Sequence, residues 1–330
     1  MKVLVTGGAG FLGSDFVRLA ARKGWKVTVV DKLTYAGDMD RLKPIQDRID
    51  FYNTDILDKE ELKRIFEKKK PEAVLHFAAE TNIDRSVTEP NIFMETNIIG
   101  TIYLLELVKY FEVGRFFNIT SYEEYGEIKE GERDEDCPLN PRSPYAVSKA
   151  SADMLGQVYW RALKLPVITV RLCSIYGPWQ NPERLIPMTI LKALRNDQIP
   201  VYGTGEIIRE WLYLCDCIRA IFALLEKGKP GEVYNIGSGE RFKVIDIVKQ
   251  ILELLEKPDS LIKYLPDRPG HEKRIAIMSE KIKNSTGWAP TTKFDSGLKS
   301  TIEWNLKNRT WLFKKLFYYE DLWSRIYKEE

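Results

Sequence analysis

Two residues with complementary chemistry, Tyr145 and Lys149, stand four positions apart in the sequence YAVSK. In a helix this spacing puts both side chains on one face. A free tyrosine has a pKa near ~10, too high for a base at neutral pH, but a neighbouring ammonium favours the phenolate and lowers that pKa. Such a pair can take the proton of a substrate hydroxyl. An accidental surface pair is the alternative, so the surrounding elements must decide.

A second group of reactive side chains lies about twenty residues upstream, in the segment NITSYEEYGE. Its apolar start predicts a short strand. Thr120, Ser121, Tyr122 and Glu123 then bring hydroxyls and a carboxylate to the end of that strand. A reactive strand end just ahead of the Tyr145 helix favours the catalytic interpretation.

The first forty residues carry a glycine pattern that supplies a redox partner. Gly7, Gly10 and Gly13 form G-x-x-G-x-x-G between a strand and a helix, where backbone N–H groups can approach a pyrophosphate. The next strand ends at Asp31, where a carboxylate accepts hydrogen bonds from an adenosine ribose. Because that carboxylate would repel a 2′-phosphate, the pattern predicts NAD rather than NADP. Tyr145 would then take the proton of a substrate hydroxyl while the carbon that carries this hydroxyl gives its hydride to NAD.

Apolar segments alternate with amphipathic ones through the first half of the chain. This alternation predicts an α/β fold, a Rossmann-type doubly wound parallel sheet covered on both faces. Beyond it, turns rich in Pro and Gly predict a smaller, mixed α/β substrate-binding lobe and a cleft between the two. We expect the NAD-binding domain over 1–173, with parts of 211–236 returning to it, and the lobe over 174–310.

The segment 311–330 is dense in aromatic residues and predicts a C-terminal amphipathic helix. We favour packing on the chain's own body or on a partner subunit over docking to a membrane surface, because acidic residues in the segment would oppose anionic lipid. The residues near helical spacing are Leu312, Leu316, Tyr319, Trp323 and Ile326.

Composition excludes several other functions. The 330 residues are 44% hydrophobic and 30% charged, which is typical of a globular protein, and the net charge of +2 gives no electrostatic reason to expect nucleic-acid binding. No apolar run approaches the ~20 residues of a membrane span, and no signal peptide is expected. The four cysteines lack the spacing of a zinc site, so we expect no metal and reduced thiols in a cytoplasmic protein.

Taken together, the motifs resemble those of a known family. TGGAGFLG, DKLTYAG, HFAAETNIDRS, TNIIGT and YAVSK are similar to motifs of extended short-chain dehydrogenase/reductases that act on nucleotide sugars. Segments of the second half, YGPWQNPERLIP, PVYGTGEIIREWLY, GEVYNIGSGE and DRPGHEKR, resemble the dTDP-glucose 4,6-dehydratases. The resemblance covers about residues 1–311. The cofactor-binding residues that it implies are Gly7, Gly10, Phe11, Leu12, Gly13, Asp31, Lys32, Thr34, Asp55, Ile56, Ala78, Ala79, Tyr145 and Lys149.

The resemblance implies a reaction in three parts. The Tyr145 and Lys149 pair, with NAD, oxidises C4 of a hexose; a Glu then removes the C5 proton while an Asp protonates the departing C6 hydroxyl; hydride finally returns to C6. The family's Thr-Asp-Glu triplet corresponds here to Ser121, Tyr122 and Glu123. The base is therefore retained and the acid is replaced.

Three functions are compatible with this replacement. Elimination persists if Tyr122, which carries a proton at pH 7, donates it, or if Glu123 is both acid and base. A 4-epimerase or a UDP-glucuronate decarboxylase needs the C4 ketone but no acid at C6. A protein that binds nucleotide sugar with weak turnover is the third. The similarity of the substrate lobe favours the dehydratase.

The resemblance also implies a set of contacts to a nucleotide-diphosphate sugar. Guanidinium groups suit a diphosphate because they offer bidentate donors. Ser174 and Ile175 replace two asparagines of the family, and Met278 replaces an Asp, so the substrate is less defined than the reaction. His76 ends a buried strand and is expected to be packed rather than catalytic. The implied substrate-binding residues are Arg85, Ser121, Ser174, Arg209, Arg268 and His271.

Quaternary structure is an inference from the same superfamily. The segments 92–112 and 144–163 are expected to be long, apolar-faced helices. Members of the superfamily pair such helices from two subunits. A homodimer through a four-helix contact is therefore expected.

Overall fold

The strands and helices follow the alternation expected from the sequence. The computed structural model describes residues 1–267, 271–316, 318–320 and 323. The strands are β1 (Lys2–Thr6), β2 (Lys26–Asp31), β3 (Ile49–Asn53), β4 (Ala73–His76), β5 (Arg115–Ser121), β6 (Val167–Leu172), β7 (Ser174–Tyr176), β8 (Ile199–Tyr202), β9 (Ile208–Tyr213), β10 (Val233–Ile236), β11 (Arg241–Lys243) and β12 (Ile262–Leu265). The helices are α1 (Phe11–Arg22), α2 (Lys59–Lys69), α3 (Ile83–Thr88), α4 (Pro90–Met94), α5 (Gly100–Tyr110), α6 (Pro144–Leu163), α7 (Leu185–Arg195), α8 (Leu214–Lys227), α9 (Val244–Leu254), α10 (Glu280–Thr286), α11 (Phe294–Lys307) and α12 (Arg309–Lys314).

A seven-stranded parallel sheet in the order β10-β6-β5-β4-β1-β2-β3 forms the centre of the fold. Its inner strands are apolar on both faces because helices cover both, as in β4 and β6, where every residue is buried. This confirms the predicted Rossmann-type fold. The strand order reverses at β1, which pairs with β2 on one side and β4 on the other. Open α/β sheets bind ligands in the crevice at such a reversal.

Two small sheets form the remainder of the second half. One has the order β11-β9-β7 and the other pairs β12 with β8. β10, which follows the strands of the small sheets β7, β8 and β9 in sequence, pairs with β6 and so lies in the central sheet. The chain therefore crosses between the small sheets and the central sheet more than once, and the space between them is lined by both halves.

The C-terminal segment packs against the chain's own body. α12 ends at Lys314, earlier than a continuous helix over 311–330 would end, and helical residues recur at 316, 318–320 and 323. Trp311 and Leu312 are buried in an apolar cluster with residues of α7, α9 and α11. Ile326, one of the residues expected at helical spacing, lies outside the described residues. Within the described ranges, no helix is long and apolar enough to cross a membrane.

His76, at the end of β4, is a buried structural residue. Its Nδ1 lies 2.8 Å from Thr6 Oγ1 and its Nε2 lies 3.0 Å from Thr101 Oγ1. Because the Thr101 hydroxyl already donates to Asn97 O, it must accept from the Nε2–H, which leaves Nδ1 to accept from Thr6. The ring is therefore neutral and fully hydrogen-bonded. Burial, with a smaller effect from the Lys149 charge, lowers the pKa of His76 to about 3.

The buried imidazole predicts a specific loss of stability in acid. Its folded pKa of about 3 lies below the usual 6.5, so the stability it contributes is complete above pH 6.5 and is lost as the pH falls towards 3. At pH 5 the loss amounts to about 2 kcal/mol. His76→Gln does not titrate, so its free energy of unfolding should fall less than the wild type's between pH 7 and pH 5. Urea unfolding at the two pH values measures this, and equal falls in both proteins would contradict the assignment.

Candidate active site

The glycine turn after β1 lies against the end of β4 with no room for side chains. Gly7 has φ +67°, and a Cβ there would lie 2.5 Å from the backbone nitrogen of Ala78. A Cβ on Gly13 would lie 2.2 Å from Gly7 O, so Gly13 serves the packing of α1 onto the turn. Glycine is required at these positions because the backbone approaches another backbone.

The Asp31 carboxylate holds this turn in place. Asp31 Oδ2 accepts the Ala9 N–H at 2.9 Å, and Asp31 Oδ1 accepts the Leu33 N–H at 2.8 Å. Burial raises the pKa of Asp31, and the two backbone hydrogen bonds oppose that effect. The side chain thus joins the glycine turn to the loop that follows β2.

A concave site at the ends of β1, β2 and β4 is lined by most of the residues expected to hold a dinucleotide. Lys32 Nζ lies 3.2 Å from Asp55 Oδ2 at its rim. Exposed turn backbone beside a fixed carboxylate fits the pyrophosphate and ribose of NAD. The expected cofactor residues that line this site are Gly7, Gly10, Asp31, Lys32, Thr34, Asp55, Ile56, Ala78 and Ala79.

A second cavity of about 340 Å³ continues from the first and reaches into the second half of the chain. Phe77 and Ala79 line both cavities, so the two are adjacent. Expected cofactor and catalytic residues line this cavity together with residues of the second half of the chain. The expected residues here are Phe11, Leu12, Ser121, Tyr122, Glu123, Tyr145, Lys149, Ser174, Arg209 and His271.

α6 places Tyr145 and Lys149 on one buried face. The helix begins at Pro144, and the Ser143 hydroxyl caps it by accepting the Ala146 N–H at 3.1 Å. Lys149 Nζ donates to Ile119 O at 2.6 Å, which ties α6 to the end of β5. Burial lowers the pKa of Lys149 to about 8, and nearby carboxylates oppose this.

The expectation of a lowered tyrosine pKa is wrong for the side chains as they stand. Burial raises the pKa of Tyr145 to about 12, and this outweighs the charges that favour the phenolate. Those favourable contributions come from Arg184 and from the Ser121 hydroxyl, ahead of any from Lys149. Tyr145 therefore keeps its proton at neutral pH, because desolvation of the anion costs more than these neighbours return.

A single turn after β5 fixes Ser121, Tyr122 and Glu123. The Ser121 hydroxyl accepts the Glu123 N–H at 3.2 Å, while Glu124 Oε1 accepts the Ser121 N–H at 2.9 Å. The Ser121 side chain also accepts the Glu124 N–H, so Ser121 and Glu124 form a capping box. The backbone that carries the three candidate catalytic side chains is thus held by hydrogen bonds within the turn.

Tyr122 occupies the position that the resemblance assigns to the family's acid. Its side chain packs in the apolar core and also lines the cleft. Its side chain lines the same cavity as Tyr145 and is 2% exposed. Its hydroxyl lies 2.9 Å from the Ser174 hydroxyl. Burial and the adjacent Glu123 charge raise its pKa well above the usual value. Two of the positions at which the resemblance marks a departure, 122 and 174, are therefore in direct contact.

Glu123 is the carboxylate best placed to react. It is 7% exposed and lines the cavity, and its Oε2 is buried without a hydrogen-bond partner. Glu123 Oε1 lies 3.9 Å from Arg209 Nε, the only ion pair of Glu123 in the part of the chain that the structure describes. An unsatisfied buried carboxylate oxygen is costly and points to a ligand or a reacting proton.

The expected substrate contacts divide into three groups. Arg209 and His271 line the cavity; Arg209 Nη1 donates to Glu272 O at 2.8 Å, and His271 Nδ1 lies 2.8 Å from Asp267 Oδ1. Arg85 instead forms ion pairs with Glu80 and Glu89 and lies over the Tyr35 ring. Arg268 lies outside the described residues.

Two neighbours of the site were missed by sequence reasoning. Arg184 and Glu183 line the cavity, and Arg184 Nη2 donates to Thr81 O at 2.9 Å. Both belong to the motif YGPWQNPERLIP, whose resemblance could have drawn attention to them, although no spacing marks their role. Among the described residues, no group of three or more His, Cys, Asp or Glu side chains is placed to hold a metal ion.

Behind the reactive turn lies a buried ionic network that the sequence did not reveal. Arg171 Nε lies 2.7 Å from Asp153 Oδ2 and 3.7 Å from Glu124 Oε2, and Arg171 Nη1 donates to the Tyr125 hydroxyl. Burial and the Asp153 charge raise the pKa of Glu124, which Arg171 opposes. Because Glu124 and Tyr125 belong to the network, it supports the turn that carries Ser121, Tyr122 and Glu123.

The fold combines a Rossmann sheet, a glycine turn held by the Asp31 carboxylate, and a helix that carries the Tyr-x-x-x-Lys pair. These features together define an extended short-chain dehydrogenase/reductase. Comparison with known proteins shows to which family within this class the chain belongs. The chain belongs to the GDP-mannose 4,6 dehydratase family, whose sequence model matches residues 4–301.

Curated relatives and solved structures agree with this family. The chain is 42% identical to dTDP-glucose 4,6-dehydratase of Shigella flexneri, over 94% of both chains. A structure of dTDP-glucose 4,6-dehydratase from Streptomyces venezuelae with NAD bound has a TM-score of 0.93 and 38% identity, covering 96% of this chain and 100% of that one. A UDP-glucose 4-epimerase structure from Thermotoga maritima has a TM-score of 0.88 and 33% identity, covering 93% and 99%.

Gly7 combines a left-handed backbone conformation with the close approach of another backbone. A comparison with Gly24, which has only the left-handed conformation, separates the two effects. Gly7 and Gly24 both have positive φ, +67° and +77°, but nothing lies within 4 Å of a Cβ at Gly24. Gly24→Ala should cost about 1–2 kcal/mol of left-handed strain. Gly7→Ala carries the same strain and a backbone collision, so it should destabilise more and abolish NAD binding. Urea unfolding and calorimetric titration with NAD measure both effects; matching behaviour of the two variants would refute the tight turn.

Proposed function

We propose that the protein is an NAD-dependent nucleotide-sugar 4,6-dehydratase, a carbon–oxygen lyase like the dTDP-glucose 4,6-dehydratases to which it is similar. The observation that carries the proposal is the shared cavity. Tyr145, Glu123 and Tyr122 line one space that adjoins the dinucleotide site on one side and Arg209 on the other. A base for a hydroxyl, a base for carbon and a proton donor are the three groups that the reaction needs.

The residues that would hold NAD fit the cofactor. α1 begins at Phe11, directly after the glycine turn, so its N-terminus can receive the pyrophosphate, and Asp31 lines the same site where it would meet the ribose. NAD bound there would supply the hydride-transfer chemistry of the reaction. The chain itself binds, orients and moves protons.

Tyr145 is the group we assign to the C4 hydroxyl. Its high pKa makes the phenolate a strong base once formed. Ser121 and Arg184 favour that phenolate, so both support the oxidation step. Lys149, anchored on Ile119 O, fixes the face of α6 from which Tyr145 projects.

Glu123 is the group we assign to the C5 proton. Its unpartnered Oε2 can accept the proton, and Arg209 Nε lies 3.9 Å from its Oε1. The Tyr122 hydroxyl, held by Ser174, retains its proton and can donate it to the departing C6 hydroxyl. Its raised pKa makes it a weaker acid than a carboxylic acid, so this step is expected to be slow relative to C4 oxidation.

A 4-epimerase is the second candidate, and the structural similarity to UDP-glucose 4-epimerase is the observation that favours it. Epimerisation needs the C4 ketone but no base at C5. The unsatisfied Glu123 oxygen in the cavity has no role in that reaction, which is why we rank it second.

Incubation with dTDP-glucose, UDP-glucose and UDP-glucuronate tests the proposal. Mass spectrometry of the products distinguishes loss of water, no change in mass and loss of carbon dioxide. We expect loss of water from a hexose nucleotide without net accumulation of NADH. Loss of carbon dioxide, or an isomer of unchanged mass, would replace the dehydratase with one of its alternatives.

If Tyr122 donates the proton to the departing C6 hydroxyl, its loss should slow elimination but not C4 oxidation. Tyr122→Phe removes the proton donor while its ring keeps the packing, so elimination should slow about 10²–10⁴-fold while C4 oxidation persists. Single-turnover absorbance of NADH measures oxidation, and product mass measures elimination. Tyr145→Phe is the matched control, because it should abolish both steps and leave NAD bound. Unchanged elimination in Tyr122→Phe would show that Glu123 or water supplies the proton.

We also propose a homodimer through α5 and α6. α6 exposes a stripe of apolar residues, with Val147 41%, Met154 57% and Val158 52% exposed. Tyr110, at the end of α5, is 67% exposed. Exposed apolar residues on one face mark interaction surfaces, and an isologous pair of such helices buries them.

A charge placed on this stripe should separate the subunits. Met154→Glu would bury a carboxylate in the proposed contact, so we expect a monomer. Sedimentation velocity compares it with wild type, and Leu163→Glu, at the exposed end of α6, serves as the control. A monomeric wild type would contradict the dimer.

A cytoplasmic location stays a prediction. It is supported by the four cysteines, which are all free thiols although two of them, Cys215 and Cys217, are close in sequence. Thiols persist in reducing compartments. Fractionation of cells that produce the protein would test it.

A further inference from the structure

Three segments meet beside the cleft. The cofactor loop, residues 33–41, follows Asp31 and lines the dinucleotide site. The substrate loop, residues 177–184, lines the larger cavity through Gln180, Glu183 and Arg184. The tail strap comprises the described residues of 309–323. The family match ends at residue 301, before the strap begins.

Asp38 joins the strap to the cofactor loop. Trp311 Nε1 donates to Asp38 Oδ2 at 2.7 Å, and Lys315 Nζ lies 2.6 Å from the same oxygen. Burial alone would raise the pKa of Asp38, but the hydrogen bonds from Lys315 and Trp311 lower it. The Asp38 N–H in turn donates to Ala9 O, within the glycine turn. The strap is therefore two hydrogen bonds away from the proposed pyrophosphate site.

Arg41, which is fully buried, joins both loops beneath the strap. Its Nη1 donates to Ala9 O at 2.9 Å and to Ala36 O at 2.7 Å. Its Nη2 donates to Trp179 O at 2.9 Å in the substrate loop. The guanidinium lies over the ring of Trp311, 5.6 Å from its centroid. The aromatic face of the strap thus covers the cation that ties the two loops together.

Each loop contains a strained residue that its surroundings must hold. Leu33 has φ +54° and Trp179 has φ +69°, both in the left-handed region. Such residues persist only when neighbouring structure over-determines them. The Trp179 ring packs against Trp304 at 4.8 Å and against Trp311 at 5.0 Å, and its carbonyl is bound by Arg41. Trp311 therefore supports the strained position directly.

A second line of contacts runs through Tyr35 of the cofactor loop. Its ring stacks on Tyr318 at 4.8 Å with an interplanar angle of 7°, and meets Tyr319 edge-on at 6.1 Å. Its hydroxyl donates to Glu183 Oε2 at 3.0 Å in the substrate loop. The strap thus contacts the cofactor loop at Asp38, Arg41 and Tyr35, and Arg41 and Tyr35 each donate a hydrogen bond to the substrate loop.

We infer that the tail strap is a positioning element that holds the cofactor loop and the substrate loop in the geometry that binds NAD and the sugar nucleotide. The inference rests on the proposed function. The strap residues touch neither ligand site; they act through Asp38, Arg41 and Tyr35. Without the strap, the loops occupy the binding geometry for a smaller fraction of time, and apparent affinity falls by that fraction.

The double variant Trp311→Phe/Lys315→Met tests the inference in the full-length chain. It removes both side-chain donors to Asp38 Oδ2 and keeps an aromatic ring against Arg41 and Trp179. We expect calorimetric titration to show NAD affinity about tenfold weaker than wild type, because charge-assisted hydrogen bonds are lost. KM for added NAD should rise while kcat at saturating NAD is retained, since the variant perturbs loop populations and leaves the reacting groups intact.

Two further variants separate positioning from general destabilisation. Lys314→Met makes the same change one residue away, at a side chain that is 65% exposed and lies 3.7 Å from Asp40, and should bind NAD like wild type. Lys315→Arg restores a cationic donor to Asp38 and should bind NAD more tightly than Lys315→Met. A double variant that binds NAD like wild type, or that loses kcat with unchanged NAD affinity, overturns the inference. A wild type that does not bind NAD overturns the proposed function instead.

Discussion

The buried carboxylate of Asp31 organises the backbone around which the whole cleft is built. One oxygen fixes the glycine turn through Ala9 and the other fixes the cofactor loop through Leu33. Ala9 O then accepts from both Asp38 and Arg41, so the turn is held on its far side as well. A dinucleotide site made of backbone must be held by contacts of this kind, because glycine brings no side-chain packing of its own.

Desolvation dominates the electrostatics of the reacting groups. Burial raises the pKa of Tyr145 to about 12 and lowers that of Lys149 to about 8, so each group is driven towards its neutral form. Every charge that is introduced here is felt strongly, because little water remains to screen it. A site of this kind is poised to respond to charged ligands and to the charge that develops during reaction.

The replacement of the family's acid is a change of a pair rather than of one residue. Tyr122 is too large and too weakly acidic to imitate an aspartic acid, and its hydroxyl is placed by Ser174, which itself stands where the family has an asparagine. Glu123 beside it keeps an unsatisfied oxygen. Each of the two hydroxyls supplies the other with a hydrogen-bond partner.

The sequence alone determined what depends on local pattern: the parallel sheet, the turn formed around Gly7, the carboxylate at Asp31, and the common face of Tyr145 and Lys149. These follow from periodicity and from residue types with one conformational use. Tertiary structure alone decided what depends on distant segments meeting. Examples are the Tyr122–Ser174 contact, the position of Arg184 at the cavity wall, the ion pairs that Arg85 forms with Glu80 and Glu89, and the packing of the strap over Arg41. The sign of the Tyr145 pKa shift belongs with these, because burial is a sum over the whole fold and no spacing reports it.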